Sequence, residues 1–186
     1  MKLLWLDLET TGLDAQKNRI LEIACFTTDL SDPFTRDSDI INEQLPVYPH
    51  ENKFDDFIEN MHAKNGLLAE CRRIGLCSNI VESNLKYYEN NILSLIPKKK
   101  NLDSSEVTTL AGSSVHFDLS FLRVHMPELA ANVSHRVYDV SSIKLFCRSI
   151  GMPKLPKEEA HRALKDIYES MAHARECEDW ILNLGV

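Results

Sequence analysis

The stretch that decides the fold is residues 3–14, which read LLWLDLETTGLD. Residues 3–8 are apolar apart from Asp7, and Glu9 follows closely. A second strand-like run, RILEIACFTTDL, occupies residues 19–30 after the turn-forming segment TTGLDAQKN. These two runs predict a β-hairpin at the start of the chain.

Two acids lie on the first strand of this hairpin. Side chains alternate between the faces of a strand, so Asp7 and Glu9 share one face while Leu6 and Leu8 point to the other. Neighbouring carboxylates on an apolar strand repel each other and are costly to desolvate unless a cation joins them. A hard divalent cation with oxygen ligands would do so. An edge strand with one solvated face would explain the acids equally well, so this pattern alone leaves both interpretations open.

The rest of the chain alternates between helical and strand-like segments. The expected elements are a weak strand within 37–48, helical structure between 62 and 97, a strand over 107–115, a short helix over 117–126, a strand over 135–140, a helix over 141–150 and a C-terminal helix over 158–182. Ser141 or Ser142 is the expected N-cap of the helix over 141–150. This order predicts an α/β fold with a mixed sheet flanked by helices.

Composition restricts the class of protein and the kind of ligand. At 186 residues the chain is expected to form a single domain over 1–186. The net charge of −7 argues against binding long nucleic acid through its backbone, so any nucleic-acid ligand should be short. The apolar run at the N-terminus is broken by Asp7 too early for a signal peptide or a membrane span. We therefore expect a cytoplasmic protein with no membrane partner.

Three further residues help to decide between the two interpretations of the N-terminal acids. Asp118 follows a predicted strand, and Asp166 lies in the HRALKD segment, five residues after His161. In a regular helix a spacing of five residues would turn the two side chains about 140° apart. His161 is therefore expected at the helix entry or in the loop before it, where it can face the same site as Asp166.

Taken together, these residues resemble the DEDDh family of 3′-to-5′ exonucleases, whose acids and histidine are spread over DxE, a central Asp and HxxxxD. All five positions are present and in order. Within that family the chain is most similar to the oligoribonucleases, and the similarity covers nearly its whole length. The matching stretches are WLDLETTGLD, RILEIA, MHAKNGL, FDLSFLRVHMPEL, RVYDVSSIK and HRALKDIYES.

The resemblance implies an RNase H-like, exonuclease-type fold and a hydrolase that needs two Mg²⁺ or Mn²⁺ ions per active site, about 3.5 to 4 Å apart. Asp7, Glu9, Asp118 and Asp166 would be the metal ligands, and His161 would be the base that takes a proton from the attacking water. The substrate would be short single-stranded RNA, mainly dinucleotides, and the products would be 5′-mononucleotides.

The resemblance also implies a set of substrate contacts and a homodimer. Leu13 and Phe57 would sandwich bases, Phe57 standing where relatives often have tryptophan. Ser114, Arg136 and Ser141 would cap the 5′ phosphate of a dinucleotide. His135 stands where relatives carry a tyrosine that the second subunit supplies. Residues 77–109 align poorly with the family and are assigned no functional role.

Two alternatives remain open on the sequence. A DNA proofreading or repair exonuclease would share the whole catalytic set, and the acids cannot distinguish it from a ribonuclease. A non-catalytic binding module that kept the fold is disfavoured, because all five residues persist and unpaired carboxylates would be destabilising in a purely structural role.

Overall fold

The computed structural model describes residues 1–47, 54, 56–77, 83–101, 103, 106–156 and 161–183. Within them six strands form one sheet. The strands are β1 (Lys2–Thr10), β2 (Ile20–Asp29), β3 (Asp32–Arg36), β4 (Ile41–Gln44), β5 (Thr109–Gly112) and β6 (Val137–Asp139). Their order is β3-β2-β1-β5-β6, and β4 pairs with β2.

The sheet is mixed, as predicted. β1 and β2 are antiparallel, which confirms the expected hairpin, and Glu9 lies opposite Glu22 in its register. β1 runs parallel to β5, and β5 runs parallel to β6. The carboxyl ends of these three strands therefore lie at the same edge of the sheet.

Seven helices accompany the sheet in the described part of the chain. They are α1 (Asp56–Lys64), α2 (Leu67–Cys77), α3 (Ser83–Leu95), α4 (His116–His125), α5 (Pro127–Asn132), α6 (Val140–Ser149) and α7 (Ala163–Asn183), with a short 3₁₀ turn at Lys99–Asn101. None of them is long and apolar enough to cross a membrane.

The alternation of side chains along β1 divides the core into two layers. Leu4, Leu6 and Leu8 pack on one face of the sheet in a cluster that includes residues of α4 and α5. Leu3 and Trp5 pack on the other face with Ile167 and neighbouring apolar residues of α7. Asp7 and Glu9 continue the second series, so the acids of β1 belong to the face that α7 covers.

The structure corrects several sequence-based boundaries. Of the strand predicted within 37–48, the described residues 37–47 form a strand only over 41–44, and the sequence did not indicate β3 or α5. The helical region that was expected between 62 and 97 comprises parts of three helices, the last of which ends at Leu95, shortly before Pro97.

The predicted N-cap of α6 was wrong. Asp139 caps this helix, and its side chain accepts a hydrogen bond from the Ser141 N–H. A carboxylate can accept bonds from the free N–H groups of the first turn without taking part in the helix itself. Ser141 consequently lies inside α6 and not before it.

Candidate active site

β1 brings two acids to the carboxyl edge of the sheet. Glu9 is buried and Asp7 is half-buried on the same face. Both are flanked by strands, because β2 pairs with β1 along its whole length and β5 pairs with its first half. The edge-strand alternative is therefore wrong, since β1 is an interior strand of the sheet.

Asp118 approaches β1 from the first turn of α4. The pairing of β1 with β5 ends at Trp5, and beyond that point the Leu8 N–H donates a hydrogen bond to Asp118 Oδ1 at 3.1 Å. The Asp118 side chain is buried. The bond fixes this carboxylate beside the strand that carries Asp7 and Glu9.

α7 completes the group with His161 and Asp166. The helix begins at Ala163, so His161 lies just before it and Asp166 lies in its first turn, as the five-residue spacing predicted. Potential ligand atoms of Glu9, His161 and Asp166 all lie within 4.8 Å of one another. Residues that are far apart in sequence thus converge on one small volume.

The electrostatics of this group indicate a site for cations. Burial, followed by the charges of Asp166, Glu22 and Asp118, raises the pKa of Glu9 to about 8. Burial is also the main cause that raises the pKa of Asp118 to about 8. The pKa of Asp7 lies well above its usual range because of burial and the charges of Asp118, Glu9 and Asp166.

These shifts mean that the carboxylates cannot all be ionised at neutral pH without a compensating positive charge. Oxygen donors of this kind suit Mg²⁺ or Mn²⁺, and an imidazole beside them provides a base. The residues present therefore fit a divalent metal centre.

Ser114 and Ser141 are brought together at the same edge of the sheet. Their hydroxyl oxygens lie 3.1 Å apart. The backbone N–H groups of both residues donate to Asp139 Oδ1, at 3.0 Å from Ser114 and 2.9 Å from Ser141. Ser114 follows β5 with a φ of 58°, a left-handed conformation that is uncommon for residues other than glycine. Asp139 thus holds together the backbones of two serines that the resemblance assigned to one phosphate cap.

The other predicted substrate contacts are either exposed or, for Phe57, have a side chain outside the described residues. Leu13 is 79% exposed in the loop between β1 and β2. Phe57 falls within α1, but its side chain lies outside the described residues. His135 and Arg136 are exposed and precede β6, whereas Ser141 follows that strand. Strand β6 therefore lies between Arg136 and the two hydroxyl groups with which it was grouped.

His62 lies near the acids, and the sequence analysis included it only as part of the matching stretch MHAKNGL. Its ring is buried, with Nε2 at 3.2 Å from the Thr10 carbonyl oxygen, to which it can donate, and 3.8 Å from Glu9 Oε2. Nδ1 is buried and has no hydrogen-bond partner among the described residues. Burial is the main cause that lowers the pKa of His62, so a neutral ring is favoured beside the acids.

Sequence reasoning missed Glu22 and Arg162 altogether. Glu22 is buried opposite Glu9, and the Arg162 guanidinium contacts both oxygens of its carboxylate. The signal was present in RILEIA, where an acid interrupts a strand that is otherwise apolar. The Arg162 guanidinium thus pairs with the buried Glu22 carboxylate.

Carboxylates and a histidine converge at the carboxyl edge of a mixed sheet. Together with the comparisons that follow, this arrangement identifies the chain as a nuclease, which is a hydrolase. The chain matches the family described as Exonuclease over residues 4–173. It belongs to this exonuclease family.

Relatives to which the chain is similar include oligoribonucleases. It is 34% identical to the oligoribonuclease of Corynebacterium glutamicum over 179 residues, which is 91% of this chain and 75% of the relative. It is 37% identical to the oligoribonuclease of Arabidopsis thaliana over 175 residues, covering 91% of this chain and 73% of the relative.

Solved structures with a similar fold include Escherichia coli exonuclease I in complex with single-stranded DNA. The TM-score is 0.64 at 17% sequence identity, and the match covers 98% of this chain. The chain spans only 43% of the length of exonuclease I. The predicted RNase H-like, exonuclease-type fold is thereby confirmed.

Proposed function

We propose that this chain is a 3′-to-5′ exoribonuclease that degrades short oligoribonucleotides, especially dinucleotides, to 5′-mononucleotides with Mg²⁺ or Mn²⁺. The observation that carries the proposal is the convergence of Glu9, His161 and Asp166 within 4.8 Å on a sheet edge that also holds Asp7 and Asp118. The similarity to oligoribonucleases over 91% of the chain supports short RNA as the substrate.

Asp7, Glu9, Asp118 and Asp166 would hold two ions, because burial and mutual repulsion make their ionised forms unfavourable without added positive charge. Bound ions would lower the pKa of a water and offset the charge that develops on the departing 3′ oxygen.

His161 would accept the proton of the attacking water at a ring nitrogen. Its position before α7 supports this role, since the ring lies near Glu9 and Asp166 while remaining only half-buried. The half-exposed ring can pass the proton on to solvent and return to its neutral form for the next turnover.

Substrate recognition would come from the ends of the RNA. Leu13 and Phe57 would sandwich bases, and Ser114, Arg136 and Ser141 would bind the 5′ phosphate. The paired hydroxyls of Ser114 and Ser141 support the phosphate assignment, because they lie 3.1 Å apart and Asp139 holds the backbone N–H groups of both residues. The exposed positions of Arg136 and His135 would suit a pocket that a second subunit completes, so we include a cytoplasmic homodimer of single 1–186 domains in the proposal.

The decisive experiment is product analysis with end-labelled RNAs from dinucleotide to decanucleotide, in parallel with DNA of the same sequences. Release of 5′-mononucleotides from the 3′ end, with the highest kcat/KM on the RNA dinucleotide, is the expected result. Equal or faster hydrolysis of DNA would instead favour a DNA exonuclease.

Light scattering at assay concentrations tests the proposed dimer. An active enzyme that is monomeric under these conditions would contradict it.

A further inference from the structure

The backbone of His161 has an unusual conformation. Its φ of 45° lies in the left-handed region, and α7 begins two residues later at Ala163. Residues other than glycine adopt this region infrequently, and they remain in it only where their surroundings hold them. The contacts of residues 161–163 therefore help to determine the direction in which the His161 imidazole points.

The start of α7 is held against β2 and α2. The Arg162 guanidinium bonds to Glu22 at 3.0 Å and to Glu70 at 2.8 Å, and the Ala163 N–H donates to Glu22 Oε2 at 2.9 Å. These contacts fix the two residues that follow His161. They leave the peptide of His161 itself to be held by another group.

That group is the side-chain amide of Asn65, at the corner between α1 and α2. Asn65 Nδ2 donates to the His161 carbonyl oxygen, and Asn65 Oδ1 accepts the Leu67 N–H at 3.0 Å. The second bond determines which end of the amide faces His161, because the backbone N–H of Leu67 can only donate. Asn65 thus caps α2 with its oxygen and binds the histidine loop with its nitrogen.

We propose that Asn65 is a positioning residue that holds the His161 imidazole toward Glu9 and Asp166, an inference that rests on the proposed function of His161 as the base. The bond to the His161 carbonyl stabilises the left-handed conformation. Without this donor, the peptide relaxes toward ordinary φ values and the ring moves away from the acids. A displacement of about 1 Å at a reacting group can cost as much as a hundredfold in rate.

Two substitutions separate this role from the cap of α2. Asn65→Asp keeps an oxygen for the Leu67 N–H but faces the His161 carbonyl with a second acceptor. Asn65→Ser also keeps a capping oxygen, removes the donor that reaches His161 and adds no charge. The expected result for both is a fall in kcat of about tenfold or more, with KM for an RNA dinucleotide within about twofold of the parent.

Asn132→Asp is the matched control. Asn132 has the same arrangement far from the acids, since its Nδ2 donates to the Glu128 carbonyl and its Oδ1 accepts the Lys99 N–H. The Asn132→Asp variant therefore loses the same kind of hydrogen bond as Asn65→Asp and gains the same negative charge. Its kcat should stay near that of the parent, and its melting temperature shows what such a loss costs in stability alone.

A double-mutant cycle with His161→Asn tests whether Asn65 acts through the histidine. Once His161 is replaced, Asn65→Ser should change single-turnover rates by less than about twofold. The proposal is overturned if Asn65→Ser costs the same factor with and without His161, or if both Asn65 variants retain the kcat of Asn132→Asp.

A readout without turnover keeps the two proposals distinguishable. The imidazole signals of His161 in the metal-free protein, identified by their loss in His161→Asn, should shift in NMR spectra of Asn65→Ser and stay unchanged in Asn132→Asp. Unshifted signals would contradict the positioning role. A parent that hydrolyses no short RNA would contradict only the proposed function.

Discussion

The N–H of Leu8 donates a hydrogen bond to Asp118 Oδ1 at 3.1 Å, although the two residues are 110 positions apart. This bond joins α4 to β1 at the level of Asp7 and Glu9. An amide oxygen could accept it as well as a carboxylate can. The position of Asp118 can therefore be kept while its charge is removed.

Asp118→Asn should abolish nuclease activity and leave the fold intact, because the substitution preserves volume and the bond from Leu8 but removes one anionic metal ligand. In metal-free buffer its melting temperature should equal or exceed that of the parent, since one source of repulsion is lost. Nuclease assays and thermal unfolding in EDTA measure both effects. Asp29→Asn, at an exposed carboxylate, is the control. Full activity of Asp118→Asn under limiting metal would contradict the metal assignment.

His161→Asn should reduce kcat by about a hundredfold or more with a much smaller effect on KM, because the base acts on the water and not on the binding of RNA. The fall in rate that we expect toward acidic pH should also be smaller in the variant, since only a neutral imidazole accepts a proton, although protonation of the carboxylates would still lower the rate. Steady-state kinetics across pH would measure this. If the variant kept the parent's rate and acidic decline, another residue would have to be the base.

Stability without metal should fall as pH rises from about 4 to about 8. Folding raises the pKa of Glu9 from 4.5 to about 8, so in this window the folded protein keeps a proton that the unfolded chain has released. The stabilising effect of that proton is complete below the unfolded pKa and is lost as pH approaches the folded value, by an amount of the order of a few kcal/mol.

Urea unfolding in EDTA at several pH values would measure this dependence, with Glu9→Gln as the comparison. The substitution should make the stability less dependent on pH, and added Mg²⁺ should restore stability to the parent at pH 8. A parent and a variant with the same pH dependence would show that Glu9 does not titrate abnormally.

Asp139→Ala should lower kcat/KM on an RNA dinucleotide by about tenfold, because the Ser114 and Ser141 N–H groups lose their common acceptor. Asp139→Asn should restore most of that loss, since its Oδ1 can still accept both bonds. The control is Ser142→Ala, which removes only the bond from the Ser142 hydroxyl to Asp139 Oδ2. Similar losses in all three variants would contradict the role of Asp139 in organising the serines.

Arg136→Ala should reduce hydrolysis of dinucleotides much more than hydrolysis of longer RNA, because only a dinucleotide places its 5′ phosphate at the proposed cap. In the parent, kcat/KM should fall sharply from dinucleotide to trinucleotide. Competition between labelled RNAs of different length would measure both preferences. An equal reduction at every length would mean that Arg136 contacts RNA in general and that the phosphate cap is wrong.

The sequence predicted the parts of the site that depend on local periodicity. The alternation of β1 placed Asp7 and Glu9 on one face, and the five-residue spacing placed His161 before a helix that carries Asp166. Both predictions are confirmed, because strand and helix geometry fix where nearby side chains point.

What the sequence could not predict are the contacts between distant segments. Glu22 and Arg162 are 140 positions apart, and nothing in either local pattern identifies the other as its partner. The left-handed conformations of Ser114 and His161 could not be predicted either. They are accompanied by long-range hydrogen bonds, in which Asp139 accepts the Ser114 N–H and the Asn65 amide donates to the His161 carbonyl. The predicted N-cap of α6 was wrong because residue type alone does not decide the cap. Ser141 and Asp139, two residues earlier, are equally good N-cap candidates by type.

The bond between the Ala163 N–H and Glu22 has a consequence for how the enzyme is made. It closes a loop of 141 residues, so the start of α7 joins β2 only after all of that loop has been synthesised. Until then, Glu9 lies on the β1–β2 hairpin without Asp166 and His161 beside it. A nascent chain that ends before α7 therefore lacks one of the proposed metal ligands, Asp166, and the proposed base, His161. On the proposed mechanism, such a chain gains nuclease activity only after translation has passed the first turn of α7.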